Sequence, residues 1–326
     1  MKKCELMINK EQTTAIKGLL AILVVLCHLR SYITIVDSNF WLHKIFVAFG
    51  YLSVGCFFFL SGYGLNIQYK KKKDYMQNFV KNRIFPFYIK YLIILFAYIA
   101  LFAVSGNGIN IPLLCKSFFI GGTLVINGWY LQASLLLYVL FFFSFRFTKK
   151  HRHICMLLGI IGYMILCIAF NFGSHWYQSV CCFLIGIFYC EIHDSKYNFT
   201  LWHGLIAALL FVAITFCSMI NTNPYLNVLL VTVSSSLMIL LMGATPLKQK
   251  LNSIILRKIG EISLELYAVH GAIITILRSS FIWIKNDFLF VAVVLGLSFI
   301  GALIFSKILK LSNKLIKKRA IFANKQ

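Results

Sequence analysis

Lys17 and His28 lie in a long apolar stretch near the N-terminus, where ionisable side chains are costly and usually mark a functional site. They are 11 positions apart, about three helical turns, which places them on nearly the same helix face and roughly 16 Å apart along the axis. An imidazole moves protons near neutral pH, and an ammonium group binds anions. The spacing predicts acid–base chemistry beside an anion site, although a lysine at the membrane edge and an interhelical histidine would give the same pattern.

Of the acidic residues only Glu265 lies well inside an apolar stretch, and of the histidines only His28 and His270 do. We expect the two histidines at comparable depths, because their segments cross the membrane in the same direction. Glu265 and His270 are five positions apart and point to different helix faces. Glu265 is therefore expected to meet a basic partner on another helix, with Arg30 and Lys90 as candidates. For Glu265 the alternatives are catalysis and a structural ion pair; for His270 they are catalysis and an interhelical hydrogen bond.

The elements that carry these residues are apolar throughout the chain. Of its 326 residues 60% are hydrophobic and 13% are charged, whereas a soluble domain has about a quarter of its residues charged. Apolar stretches of about the length of a bilayer recur along the whole chain. We predict an all-α, polytopic integral membrane protein with about ten transmembrane helices. They are placed at 13–36, 44–66, 84–105, 127–146, 154–171, 176–191, 201–220, 225–244, 259–279 and 287–309.

The basic residues predict the orientation of the chain. With the N-terminus inside, nearly all of those outside the spans fall in cytoplasmic segments, so the positive-inside rule places both termini in the cytoplasm. The loops are short, and residues 1–326 are predicted to form a single membrane-embedded domain with no appended soluble domain. Runs of lysine beside spans serve orientation or contact anionic membrane lipids, so the net charge of +23 does not argue for a nucleic-acid partner.

Further residues with chemical potential lie around the second and third spans. Ser61 and Gly62 end an aromatic run, and small residues there permit close helix packing. Lys81 and Arg83 open the third span near the expected level of Lys17, and three cations at one opening suit a phosphate-bearing ligand. The ten cysteines are scattered without a C-x-x-C pair or a metal-binding spacing, so we predict no metal site.

Four patches, in order along residues 13–280, resemble the membrane acyltransferase-3 family. They are Lys17 and His28 with ten residues between them, the run 58–62, the Arg-x-x-Pro of 83–86 and the Ser…Tyr…His of 263–270. Weaker family patches match 129–131 and 183–186. The family more often has arginine where this chain has Lys17, and a lysine binds phosphate as a point charge rather than through a bidentate fork.

The resemblance implies an O-acyltransferase of the cytoplasmic (inner) membrane, without a metal. The donor would be acyl-CoA, usually acetyl-CoA, and the acceptor a hydroxyl of an envelope carbohydrate or a lipid-linked glycan. His28 would act either as the base or as a covalent acyl carrier. The residues expected to bind the CoA phosphates are Lys17, Lys81 and Arg83. The residues expected in catalysis are His28, His270, Glu265, Tyr267 and Ser61.

Two other functions fit the same intramembrane charges. A transporter or flippase for a glycan or an anionic solute would use them to line a pathway. A non-catalytic membrane sensor or interaction protein would use them in packing. Labelling of envelope material from acetyl-CoA separates the three, because only an acyltransferase makes a new ester.

Overall fold

The computed structural model describes residues 8–104, 108–148, 150–192, 201–244, 251–279 and 282–323. Within these ranges the regular structure is helical, apart from one isolated bridge between Arg278 and Trp283. The predicted all-α, polytopic architecture is confirmed. The first seven and last three residues lie outside the described ranges, and the cytoplasmic orientation of the termini stays a prediction.

Thirteen α-helices follow one another in the described part of the chain. Their bounds are α1 Lys10–Leu29, α2 Thr34–Ser38, α3 Phe40–Lys71, α4 Phe85–Val104, α5 Ile111–Ser117, α6 Trp129–Phe147, α7 Arg152–Ala169, α8 Cys181–Ile192, α9 Leu201–Ile220, α10 Pro224–Ala244, α11 Ile254–Glu261, α12 Ser263–Leu277 and α13 Asp287–Ala323. A 3₁₀ turn, Arg30–Tyr32, extends α1, and a π-helical turn, Val80–Ile84, leads into α4.

Eight described helices are long and apolar enough to cross a membrane: α1, α3, α4, α6, α7, α9, α10 and α13. α11 and α12 together would make a ninth span, bent by 75° at the break between them. The expected span at 176–191 contains only the 12-residue helix α8. At 1.5 Å per residue α8 covers about 18 Å, less than the roughly 30 Å of a bilayer core. The described residues therefore give eight or nine spans of sufficient length, where the sequence predicted about ten.

The turn before α8 lengthens the path of this segment across the membrane. The Ser179 hydroxyl donates a hydrogen bond to the Tyr51 carbonyl oxygen at 3.2 Å, early in α3. The Lys70 ammonium donates one to the Cys190 carbonyl oxygen at 3.0 Å, at the end of α3. A turn and a short helix thus follow most of the length of α3, in the same direction.

Two glycine pairs bring helices into main-chain contact. A Cβ atom on Gly18 would overlap the carbonyl oxygen of Leu256, and one on Gly260 would overlap that of Thr14. α1 and α11 therefore touch backbone to backbone, as small residues permit in membrane helices. This contact fixes α1, which carries Lys17 and His28, against the helix that leads into α12.

The second glycine pair joins α3 to α8. A Cβ atom on Gly62 would overlap the Phe183 carbonyl oxygen, and one on Gly186 would overlap that of Phe59. The large side chains around this contact, Phe59 and Phe183 among them, are buried. The outer helices instead expose apolar residues such as Trp202 and Phe288, which suits lipid contact. The interior thus lies around α1, α3 and α8.

Candidate active site

α1 and α12 bring His28 and His270 into contact. The imidazole rings stack with their centroids 5.1 Å apart and their planes inclined by 30°. His28 lies in the last turn of α1, and His270 lies in α12, after the bend. The expectation that the two histidines share one depth is confirmed by this contact.

His270 is fully buried, and its hydrogen bond indicates its tautomer. Its Nδ1 lies 3.2 Å from the carbonyl oxygen of Leu266, one turn back in α12. Because a carbonyl only accepts, Nδ1 of the neutral ring carries the proton and Nε2 presents a lone pair. This Nε2 is buried without a hydrogen-bond partner. His270 thus packs against His28, and its Nε2 is a hydrogen-bond acceptor without a donor.

A cavity of about 410 Å³, which we call the outer cavity, opens on the other side of His28. Its walls come from the end of α1, the first half of α3, the start of α6 and the turn before α8. These lie at the non-cytoplasmic side in the predicted orientation. Its polar and aromatic lining residues are His28, Arg30, Tyr51, Asn127, Trp129, Ser174, His175, Gln178, Ser179 and Tyr267.

A smaller cavity of about 200 Å³, the inner cavity, shares Tyr267 with the outer one. Lys17 and Ser61 line it together with Tyr130 and Tyr138. The rings of Tyr130 and Tyr267 meet edge to face with centroids 5.2 Å apart. Tyr267 therefore lies between the cavity that Lys17 lines and the cavity that His28 lines, with Tyr130 packed against it on the inner side.

Tyr267 is held in place by the turn that precedes α6. Its hydroxyl donates a hydrogen bond to the Asn127 carbonyl oxygen. Asn127 has φ 60°, in the left-handed region that asparagine adopts more readily than most residues. Asn127 lines the outer cavity, and Gly128 after it caps α6. One turn thus positions both Tyr267 and part of the outer cavity wall.

A third cavity, of about 460 Å³, lies in the loop between α3 and α4. We call it the cytoplasmic cavity; Lys72, Lys73, Tyr75 and Arg83 line it. Burial raises the pKa of the Tyr75 hydroxyl, and the adjacent Arg83 acts in the opposite direction. The charge of Arg83 also acts on Lys17 in the inner cavity. Arg83 and Lys17 are therefore like charges that repel each other.

Two of the predicted site residues lie elsewhere. Lys81 is exposed and lines none of the three cavities. Glu265 is 6% exposed, and no ion pair within 4.0 Å joins it to another described residue, so the predicted pairing with Arg30 or Lys90 is wrong. Glu265 lies in the first turn of α12, and the N-terminus of a helix stabilises a carboxylate. This position explains how Glu265 can be buried without a basic partner.

Two residues of the outer cavity were missed by sequence reasoning. On a continuous helix Arg30 points away from His28, and its backbone is still helical, with φ −51° and ψ −43°. Its long side chain folds back over Cys27, to whose carbonyl oxygen Nη1 donates a hydrogen bond at 2.8 Å, and so reaches the outer cavity. His175 lies in a turn before α8, its ring 5.2 Å from that of Trp129. Burial lowers the pKa of His175. The histidine lies far from His28 in sequence, and no local pattern marks it.

A sequence model described as an acyltransferase domain matches residues 13–307. No curated protein and no solved structure gives a significant match. The matched range contains all three cavities and the stacked histidines. Within the described residues, no three His, Cys, Asp or Glu side chains are arranged to hold a metal ion.

Proposed function

The chain belongs to the acyltransferase-3 family of membrane proteins, and from this premise we propose that it transfers an acyl group from cytoplasmic acyl-CoA to a carbohydrate hydroxyl. Acetyl is the proposed acyl group, and the proposed acceptor is an envelope or exported carbohydrate, free or lipid-linked. The proposed location is the cytoplasmic (inner) membrane. Family membership and the apolar helices support the coarser statement, a multi-pass membrane acyltransferase.

The observation that carries the proposal is the position of the stacked histidines. His28 lines a polar cavity at one end of α1, and His270 supports it from the protein interior. Lys17 lines a separate chamber on the far side of Tyr267. The base His28 and the cation Lys17 thus lie on opposite sides of Tyr267. This arrangement suits a reaction in which an anionic donor and a hydroxyl acceptor arrive from opposite sides.

Cations on the cytoplasmic side support CoA as the donor. CoA carries phosphate groups, and Arg83, Lys72 and Lys73 line the cytoplasmic cavity while Lys17 lies one chamber further in. Charge-assisted hydrogen bonds to phosphate are the strong kind. The roughly 16 Å along α1 from Lys17 to His28 is of the order of a pantetheine arm. The phosphates would bind at the loop while the thioester reaches toward Tyr267.

His28 has a role in either of two reaction routes. In the direct route it accepts the proton of the acceptor hydroxyl while that oxygen attacks the thioester carbonyl carbon. The resulting oxyanion collapses, the carbon–sulfur bond breaks and CoA leaves as the thiolate, which then takes up a proton. In the two-step route the His28 nitrogen attacks first, the carbon–sulfur bond breaks and CoA leaves as the thiolate. The acceptor oxygen then takes the acyl group from the imidazole, and the hydroxyl proton passes to the released imidazole and on to the thiolate. The Tyr267 and Ser61 hydroxyls are candidate donors to the oxyanion.

Labelling from the donor tests the proposal. Membranes from cells with and without the chain are incubated with acetyl-CoA that carries a radioactive acetyl group, and the envelope carbohydrate is then extracted. We expect alkali-labile label on carbohydrate only when the chain is present, and mass spectrometry then locates the ester. A transporter would move labelled material without forming the ester, and that result would contradict acyl transfer.

A further inference from the structure

Arg30 is the one permanently charged side chain in the described lining of the outer cavity. Its Nη1 donates to the Cys27 carbonyl oxygen at 2.8 Å, a main-chain contact that leaves the positive charge uncompensated. Its Nε is buried and has no hydrogen-bond partner. The described lining contains no Asp or Glu side chain, so no protein carboxylate of this cavity balances the guanidinium.

The electrostatics of such a cavity favour an anionic ligand. Arg30 is half-buried and its Nε is fully buried, so a guanidinium without a counterion is costly here. A bound anion supplies both the missing charge and an acceptor for the free N–H. The other titratable imidazoles on this wall, those of His28 and His175, add positive charge whenever they are protonated. Arginine also presents a planar fork that matches the two oxygens of a carboxylate or a phosphate.

The rest of the lining suits a sugar. Trp129 supplies an aromatic face at one wall, and Asn127 and Gln178 supply amide groups that both donate and accept hydrogen bonds. Arg30 follows His28 by two positions, and both residues line the same space. A sugar whose hydroxyl lies at His28 therefore places a neighbouring substituent near Arg30.

An anion bound at Arg30 would belong to the acceptor and not to the donor. The cations suited to CoA phosphates line the cytoplasmic and inner cavities, on the far side of the partition formed by Tyr130 and Tyr267. A second phosphate site in the outer cavity would require the highly charged part of CoA to pass that partition. This assignment rests on the proposed function, since it takes the donor to enter from the cytoplasm.

We propose that the acceptor is an acidic carbohydrate, carrying a carboxylate or a phosphate close to the acylated hydroxyl, and that Arg30 selects it by binding this group. Arg30 is thus a specificity-determining residue, and a neutral sugar of the same size is a poor acceptor.

Binding without the donor tests this assignment separately from acyl transfer. The full chain in lipid nanodiscs is titrated calorimetrically with glucuronic acid, glucose 6-phosphate and glucose. The first sugar carries a carboxylate, the second carries a phosphate and the third is neutral, so the comparison distinguishes the two anionic groups. We expect at least one acidic sugar to bind about tenfold or more tightly than glucose, as for a charge-assisted contact. Arg30→Gln should remove this preference, and Arg30→Lys should retain part of it.

Lys44→Gln is the matched control, because it removes one positive charge from the α3 segment outside all three cavities and should keep the preference. Size-exclusion profiles establish that each variant is folded. Equal binding of glucose and both acidic sugars, no binding of either acidic sugar at millimolar concentration, or an unchanged preference in folded Arg30→Gln would overturn the proposal. Absence of acetyl transfer to any acceptor would instead count against the proposed function.

Discussion

The His28 ring stacks on the His270 ring, with 5.1 Å between centroids, so that a residue near one end of the chain supports the cavity-lining imidazole near the other. The contact depends on α1 lying main chain to main chain against α11, through Gly18 and Gly260. It also depends on the 75° bend that follows, which directs α12 past α1. The stacked pair is therefore a consequence of helix packing that two small residues permit.

Donor binding is expected to depend on Arg83. Arg83→Gln should raise the KM for acetyl-CoA about tenfold or more, because it removes charge-assisted hydrogen bonds of roughly 1.5–3 kcal/mol each. Its kcat should change little if the contact is equally strong in the ground and transition states. Steady-state kinetics with purified protein and a fixed acceptor measure both constants.

Lys81→Gln tests whether the donor phosphates bind at Lys81, as the sequence predicts, or in the cytoplasmic cavity that Arg83 lines. Lys81 and Arg83 are both exposed, but only Arg83 lines the cytoplasmic cavity, so we expect Lys81→Gln to leave the donor KM within about twofold of wild type. The exposed Lys150 provides a matched charge control in another cytoplasmic loop. A larger effect of Lys81→Gln than of Arg83→Gln would move the phosphate site out of the cytoplasmic cavity.

The contact between α3 and α8 is expected to tolerate no side chain at Gly62. Gly62→Ala forces a Cβ atom into the Phe183 carbonyl oxygen, and overpacking of this kind costs about 1–3 kcal/mol or more. Gly64→Ala, two residues further along α3, meets nothing within 4 Å and is the matched control. Thermal unfolding in detergent should show a Tm several degrees lower for Gly62→Ala and unchanged or higher for Gly64→Ala. Equal Tm values would contradict the main-chain contact.

Both termini are expected in the cytoplasm, and the test also decides whether the α8 segment crosses the membrane. Eight long helices and the bent pair make nine crossings, which would leave the termini on opposite sides. The segment from Ser179 to Cys190 follows α3 from Tyr51 to Lys70, and a tenth crossing there restores an even number. Reporter fusions at the C-terminus and in the Lys72–Lys73 loop should both read as cytoplasmic. An outside C-terminus would exclude this crossing.

The length of the apolar stretches predicted the long helices well, because a span must satisfy its backbone internally and bury apolar side chains. The same rule fails at the short helix α8, where a turn supplies part of the path. Helical spacing also placed Lys17 and His28 correctly on one face, and both now flank Tyr267.

The errors in the site arise where a helix ends. Helical spacing predicts that Arg30 points away from His28, and its long side chain instead folds back over Cys27 into the cavity that His28 lines. Glu265 was given a basic partner, and the break at Ile262 instead makes it part of a helix N-terminus. His175 depends on tertiary packing of a turn, which no spacing within one segment encodes. Breaks and turns of this kind are set by packing between helices, beyond the reach of a local pattern.

His28 is expected to be the residue on which acyl transfer depends most. General-base catalysis contributes about 10²–10⁴-fold, and loss of a covalent carrier would cost at least as much. His28→Gln should therefore remain in the membrane and lower kcat by about 10²-fold or more, while it preserves some hydrogen bonding. His270→Gln should cost less, about tenfold, because that ring supports His28 but does not line the cavity.

The control for His28→Gln is a comparison of expression and Tm with the wild type, since a packing role would lower stability and leave the activity per folded molecule nearly normal. Both kcat and the donor KM are measured with acetyl-CoA and the identified carbohydrate. A donor KM near wild type with a kcat reduced by about 10²-fold indicates proton or acyl transfer, because the proposed phosphate contacts are at Lys17 and Arg83 and not at His28. A well-expressed His28→Gln enzyme that keeps more than about a tenth of the wild-type kcat would rule out both catalytic routes through this imidazole.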